Sequence, residues 1–379
     1  MRKCIVLSDS FKGSLSSEEI GRIVKEECRR QFPACHVFAF SVADGGEGTA
    51  ECFEQAVGAK RVPLTVSGPF GEPVHTFYVR KEDTAVIETA KAAGLHMAEG
   101  RLDPMTATTY GVGEMMRHAV EHGCKELVLG LGGSATNDAG CGMAAAMGVR
   151  FYDKNGKSFI PSGGTLCDIQ SVDLTAARTR LSSCRVRAMC DITNPLFGEN
   201  GAAYVFAPQK GADAKTVRLL DAGLIHFADV IESACGRDVE KLSGAGAAGG
   251  MGAGISAFFG GDLNPGIEIV LDLIQFEKIA EDADLVITGE GKLDMQSLGG
   301  KVVVGVAKRA QHLNVPVAAL VGDFNQNALE AVYEAGVTAV FGVNQRIVTL
   351  DEARRSAVYA LRTTCRNLFA YTKAMEKRG

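Results

Sequence analysis

Apolar residues come in short runs separated by stretches of helical periodicity, the alternation expected of an α/β chain with parallel strands. Residues 3–8 (KCIVLS) read as a buried strand. Ser16 with Glu19 makes a capping box that opens a helix to about Arg30. A second strand is expected over 36–42 and a second helix over 47–57. Over 61–89 the pattern turns to alternation broken by Gly68-Pro69 and Gly71, which predicts a hairpin. A helix over 106–122 ends at Gly123, followed by a strand over 126–130, a glycine-rich loop and a helix to about Met147. Short strands are expected near 149–153, 186–191 and 203–206, and a long helix from about Asp213 to Ala234.

Past a glycine-rich stretch at 244–261 the rhythm returns. Strand 284–288, helix 299–311, strand 316–321, helix 326–335, strand 338–342 and helix 351–372 follow in order. Two βα units therefore open the chain and three close it. Together they predict one five-stranded, doubly wound parallel sheet with a large insertion. The competing arrangement is a pair of continuous domains split near residue 125.

Composition narrows the class. The chain has 379 residues, 46% hydrophobic and 22% charged, as in an ordinary globular protein of two or more domains. Glycine is abundant, 45 residues, which suggests many tight loops where backbone approaches something closely. The net charge of −5 and the lack of Lys/Arg runs argue against nucleic acid as partner. The apolar run at the start, Cys4 to Leu7, is too short for a secretion signal. No stretch approaches the roughly 20 apolar residues of a membrane span; residues 244–261 hold eight glycines in eighteen positions. Eleven scattered cysteines without a CxxC pair fit a reducing compartment, so a cytoplasmic protein is expected, possible as a homo-oligomer.

Several loops at strand ends carry chemistry. In open α/β sheets ligands sit outside the carboxyl ends of the strands. Ser8-Asp9-Ser10-Phe11-Lys12-Gly13-Ser14 follows the first strand with an acid, hydroxyls and a lysine, a set suited to an anionic, metal-linked ligand. Ala43-Asp44-Gly45-Gly46-Glu47-Gly48-Thr49 follows the second; its carboxylates, Asp44 and Glu47, suit Mg²⁺ or hydroxyl groups, and equally a turn with a helix cap. Residues 130–140 (GLGGSATNDAG) satisfy G-x-G-x-x-A, with Asp153 downstream, so they match a dinucleotide fingerprint. The loop then runs on through Ser134, Thr136, Asn137 and Asp138, which suits nucleotide phosphates better than a tight dinucleotide turn. Gly244 to Gly249 repeats G-x-G-x-x-G after a poor strand, so a flexible or tightly packed backbone segment near a cleft is the better reading. Asp191 ends a strand before a turn, where an Asx turn explains it equally well. Glu290, Lys292 and Asp294 follow the strong strand 284–288. His118 and His122 share a helical face without a third ligand. A Walker A motif, HExxH and GxSxG are all absent.

Taken in series, SDSFKGSLSS (8–17), ADGGEGT (43–49), TTYGVGE (108–114), GLGGSATNDAGCG (130–142), CDITNPLFG (190–198), FAPQKGA (206–212), GAGAAGGMG (244–252) and TGEGKLDMQSLGGK (288–301) resemble the bacterial glycerate kinase family over nearly the whole chain. The resemblance implies a flavodoxin-like doubly wound parallel sheet, residues 1–60 plus 282–379, interrupted by an inserted α/β domain over 61–281. It implies transfer of the γ-phosphate of ATP to D-glycerate, typically at the 2-hydroxyl, with Mg²⁺. The chain departs from the family's usual residues at Lys292, often Arg, at Leu102-Asp103 before Pro104, and at Ala207, usually Gly. Phosphoryl transfer needs a metal ligand, cations, backbone donors and a carboxylate near the attacking hydroxyl. The sequence does not divide these tasks uniquely among Asp9, Asp44, Glu47, Asp191, Glu290 and Asp294. The expected assignment makes Asp9, Lys12, Asp191 and Asp294 catalytic, and has Ser10, Glu290 and Lys292 bind substrate. Gly132, Gly133, Ser134, Thr136 and Asn137 are expected to hold the nucleotide, and Asp44 and Glu47 the metal. Transfer to the 3-hydroxyl, an NAD-dependent oxidoreductase and a non-catalytic anion sensor are the alternatives.

Overall fold

The computed structural model describes residues 1–42, 45–295 and 297–376. The strands in chain order are β1 (Lys3–Ser8), β2 (His36–Ser41), β3 (Lys60–Ser67), β4 (Pro73–Lys81), β5 (Thr84–Glu88), β6 (Glu126–Gly130), β7 (Arg150–Tyr152), β8 (Ser158–Phe159), β9 (Ser171–Asp173), β10 (Arg185–Met189), β11 (Asp262–Asn264), β12 (Leu285–Leu293), β13 (Val317–Phe324) and β14 (Ala339–Gly342). They belong to two compact units, Met1–Ala43 with Gln55–Val57 and Ile267–Gly379, and Asp44–Glu54 with Gly58–Gly266.

The first unit carries a five-stranded, all-parallel sheet in the order β14-β13-β12-β1-β2. Numbered within the unit and read from β2, that is 2-1-3-4-5, the flavodoxin-like order. All five strands are the ones the apolar runs predict. The reason is burial: Cys4, Ile5, Val6 and Leu7 of β1 are fully enclosed, so the strand is a continuous apolar run. The helix Ser17–Gln31 opens on the expected Ser16/Glu19 capping box and buries Ile20, Ile23, Val24 and Cys28. The helix Gly266–Leu273, from Ile267 on, and the helix Phe276–Ala280 also belong here. Ile267 packs against Gly305, and Arg309 reaches Glu268, Asp272 and Glu277. The compact unit therefore begins again at 267, ahead of the expected 282.

The second unit has a six-stranded sheet, β11-β10-β6-β5-β4-β3. β11, β10, β6 and β5 are parallel, while β4 and β3 run antiparallel at the edge. The expected hairpin over 61–89 is thus a three-strand meander. A small sheet, β8-β7-β9, stands apart from it.

Three expectations need correction. Residues 202–206 are a short helix, not a strand: Ala202 and Ala203 bury against other helices, and the β-branched Val205 stays exposed. The helix expected from 106 begins at Tyr110. Strand 284–288 continues to Leu293 because β13 keeps pairing with it, Lys292 opposite Asp323 and Leu293 opposite Phe324. Glu290 and Lys292 are therefore strand residues rather than loop residues. The glycine-rich stretch forms the helical segment Ala247–Phe259, kinked where Ala248, Gly249 and Gly250 turn left-handed. Among the described residues no helix is long and apolar enough to cross a membrane.

Gly289 sits between β1 and β13, where a Cβ would fall 2.3 Å from the Leu320 carbonyl oxygen. Gly289→Ala is expected to force the strands apart and cost on the order of 1–3 kcal/mol, read as a lower urea midpoint with unchanged slope.

Candidate functional site

In the first unit the polar residues gather at the carboxyl ends of β1 and β12, the neighbours at which strand order reverses. The sheet places Ser8 beside Gly289. The Asp9 amide donates to the Gly289 carbonyl at 2.9 Å, and its carboxylate accepts from the Ser10 amide at 2.6 Å. The chain then folds into a tight turn in which Phe11 and Leu15 exchange backbone hydrogen bonds. Lys12 and Gly13 stand exposed at its tip, with Gly13 at φ +77°.

Glu290 is the unusual group here. It is 5% exposed and its Oε1 has no hydrogen-bond partner. Burial pushes its carboxyl up to about 7; Asp9 and Asp294 push the same way, and a Ser297 hydrogen bond and Lys301 oppose them. Thr288, fully buried two residues earlier, also has an unpaired hydroxyl. Asp294 is partly buried, its amide donates to Ser297 Oγ at 3.1 Å, and Lys292 Nζ lies 4.0 Å from its carboxylate. Asp9, Glu290, Lys292 and Asp294 thus share one edge, where the buried oxygens Thr288 Oγ1 and Glu290 Oε1 are unpaired.

In the second unit β5, β6 and β10 end together: Glu88 pairs with Gly130, and Gly130 with Met189. The loop 131–140 leaves from this edge. Its path is set by close backbone contacts. The Gly132 amide donates to the Gly45 carbonyl at 2.8 Å, and a Cβ on Gly132 would meet Gly46 Cα at 2.5 Å. Gly133 lies at φ +72°, where a side chain is strained. A cavity of about 260 Å³ opens beside the loop, lined by Gly132, Gly133, Ser134, Asp191, Phe206 and Lys210 among others.

Asp138 explains why the loop runs on past the fingerprint. It is fully buried and accepts from the Thr109 amide and hydroxyl, both at 2.8 Å, and from the Gly140 and Gly142 amides at 3.1 and 3.2 Å. Those donors open the helices Tyr110–Glu121 and Cys141–Met147. Burial raises its carboxyl pKa, and the four hydrogen bonds oppose the shift. Thr136 and Asn137 are buried too, with the Thr136 hydroxyl and both Asn137 amide atoms unpaired.

Glu47 is exposed and lies 3.3 Å from His96 Nδ1. Asp44 lies outside the described residues. Asp191 belongs to the second unit and Asp294 to the first; Asp191 accepts from the Gly266 amide at 2.9 Å, so part of its work is structural. Among the described residues no group of three or more His, Cys, Asp or Glu is arranged to hold a metal. His118 stacks on His122, with ring centroids 3.9 Å apart, and pairs with Tyr78. Sequence reasoning missed Lys210, whose Nζ donates to Ser134 Oγ and the Thr136 carbonyl. Its signal was its place in FAPQKGA, a block tied to no role.

Comparison with known proteins is consistent over the full length. The model of the glycerate kinase family matches residues 4–373. A glycerate kinase from Bacillus cereus is 43% identical over 379 residues, 99% of each chain. A glycerate 2-kinase from Escherichia coli K12 is 42% identical over 372 residues, 97% of each. A crystal structure from Salmonella typhimurium LT2, provisionally assigned as glycerate kinase 2, superposes with a TM-score of 0.84 at 40% identity, covering 99% of both chains.

The Glu290 environment sets a pH dependence. Between its ordinary 4.5 and about 7, the folded chain holds a proton there that the unfolded chain has lost. Stability from this group therefore falls as pH rises through that window and levels off above it. Glu290→Gln is expected to gain stability over the native chain progressively from about pH 5 to 7, by at most about 3 kcal/mol. Urea midpoints at several pH values check this; a difference independent of pH would contradict it.

Proposed function

The chain belongs to the glycerate kinase family and is a kinase, and we propose that it transfers the γ-phosphate of ATP to the 2-hydroxyl of D-glycerate, giving 2-phosphoglycerate and ADP. The observation that carries this reading is the loop 130–140, whose residues Leu131 to Ser134, with Gly133 left-handed, border one cavity at a parallel sheet edge. Backbone donors on glycines are what a phosphate chain requires, because only there can the backbone approach closely. Gly132, Gly133, Ser134, Thr136 and Asn137 take the phosphates, and the buried unpaired atoms of Thr136 and Asn137 support that role.

The carboxylate edge of the first unit takes the hydroxy acid. Ser10, Glu290 and Lys292 bind it, Lys12 supplies a positive charge, and Asp9 and Asp294 orient its hydroxyl. Asp294, partly buried and beside Glu290, is the proton acceptor in this reading, and Asp191 is the alternative. In the reaction the alcohol oxygen bonds to the γ-phosphorus, the bond from phosphorus to ADP breaks, and the hydroxyl proton passes to the carboxylate.

Mg²⁺ fits as a partner of the phosphates rather than of a protein cage. It needs only one or two carboxylates when phosphate oxygens and water complete its shell. Glu47 offers one such oxygen donor group, and Asp44 is the second assigned by sequence. When bound, the ion would neutralise phosphate charge.

An ADP-release assay with D-glycerate, followed by ³¹P NMR of the product, tests the proposal; phosphate on the 3-hydroxyl would overturn the regiochemistry alone. Gly133→Val is expected to weaken ATP binding about tenfold or more, since a β-branched residue resists positive φ and blocks the loop. Asp294→Asn keeps the shape and removes the basicity. It is expected to lower kcat about 10²-fold with the substrate KM little changed, and Asp191→Asn to lower it less.

A further inference from the structure

Lys210 is 2% exposed, yet it lines the cavity beside the glycine-rich loop. It ends a one-turn helix, Pro208–Lys210, and is followed by Gly211 at φ +97°. A Cβ on Gly211 would fall 2.5 Å from the Leu102 carbonyl oxygen, so the turn that brings the lysine inside is closely fitted. Its Nζ donates to Ser134 Oγ at 3.1 Å and to the Thr136 carbonyl at 2.6 Å. Both partners are neutral, and both belong to the loop.

An ammonium has three N–H donors, and these two bonds use two of them. Among the described residues no carboxylate lies within ion-pairing distance of Nζ. The buried Asp138 of the same loop favours the lysine's charged form, and Cys190 and Asp191 are the titratable groups that share the cavity wall with it. Asp138 is already committed to four donors. A buried cation without a counter-charge is costly, and an anion entering the cavity would offset that cost.

We infer that the ammonium of Lys210 contacts the phosphate chain of ATP in the second unit, an inference that rests on the kinase reading above. The loop amides supply directional donors, and Lys210 supplies the charge that those amides lack. Burial has a further consequence, because it lowers the lysine to about 7 and so leaves it largely neutral at pH 8. An arriving phosphate favours the charged form, and ATP binding then draws a proton from solvent. A lysine that merely pinned the loop would bring no such uptake.

The test is calorimetric titration of the full chain with ATP, without glycerate, at about pH 8 in two buffers of different protonation enthalpy. The native chain is expected to take up close to one proton per ATP bound. Lys210→Arg, which is always charged, is expected to bind ATP without that uptake. Lys210→Met is expected to weaken ATP binding by about 10- to 100-fold, the scale of one charge-assisted hydrogen bond. Native and Arg chains showing equal proton uptake, or a folded Met variant binding ATP within about twofold of native, would overturn the inference. With native ATP binding weakened by Gly133→Val in the same experiment, that outcome leaves the kinase reading standing. A native chain that fails to bind ATP overturns both. Should the Met variant not fold, the comparison of native with Arg decides.

Discussion

Keeping a carboxylate dry is the constraint on which the second unit's loop depends. Asp138 has no solvent to hydrate it, so the fold must bring donors to it, and it brings four. Those donors are helix beginnings, where unpaired amides and a partial positive charge await an anion. One side chain therefore anchors two helices and fixes the route of the loop that separates them in sequence. A partner lost here would expose a buried charge to apolar surroundings, at several kcal/mol. With the route fixed, Gly132 can lie against Gly46 and Gly133 can turn left-handed. Gly132 and Ala135 spend their amides on the Gly45 and Ala93 carbonyls, and Gly133 and Ser134 between them border the cavity.

The first unit reaches a polar site by the opposite device. Its edge residues lie at the strand-order reversal, where the crevice of a flavodoxin-like sheet falls. Here the fold leaves polar groups without partners. Thr288 Oγ1 and Glu290 Oε1 are buried and unpaired, with Asp9 and Asp294 close enough to raise the Glu290 carboxyl. Such an arrangement costs stability. It is the kind of local conflict found at functional sites.

The strands of the first unit were legible because buried parallel strands are continuous apolar runs, as Cys4–Leu7 shows. The far end of β12 was not, because Gly289 to Lys292 is polar and glycine-rich, and only pairing with β13 keeps it extended. Residues 202–206 misled because Val and Phe suggest a strand, while the burying face is made by alanines. The fingerprint at 130–135 suggested a dinucleotide. In the fold the next helix starts only at Cys141, and Asp153 accepts amides of its own turn, so that context is missing. The family itself came from resemblance, not from periodicity. Lys210 was illegible for a physical reason: nothing local distinguishes a buried lysine from a surface one, and its burial is a property of the packed unit.

The central claim is that the loop 130–140 carries the phosphates of ATP. Amide hydrogen exchange of the full chain, with and without saturating ATP, measures this directly, because bound amides exchange more slowly. The account predicts slowed exchange over 132–137 and around Lys210. Unchanged exchange there, with protection arising elsewhere in the chain, would contradict it.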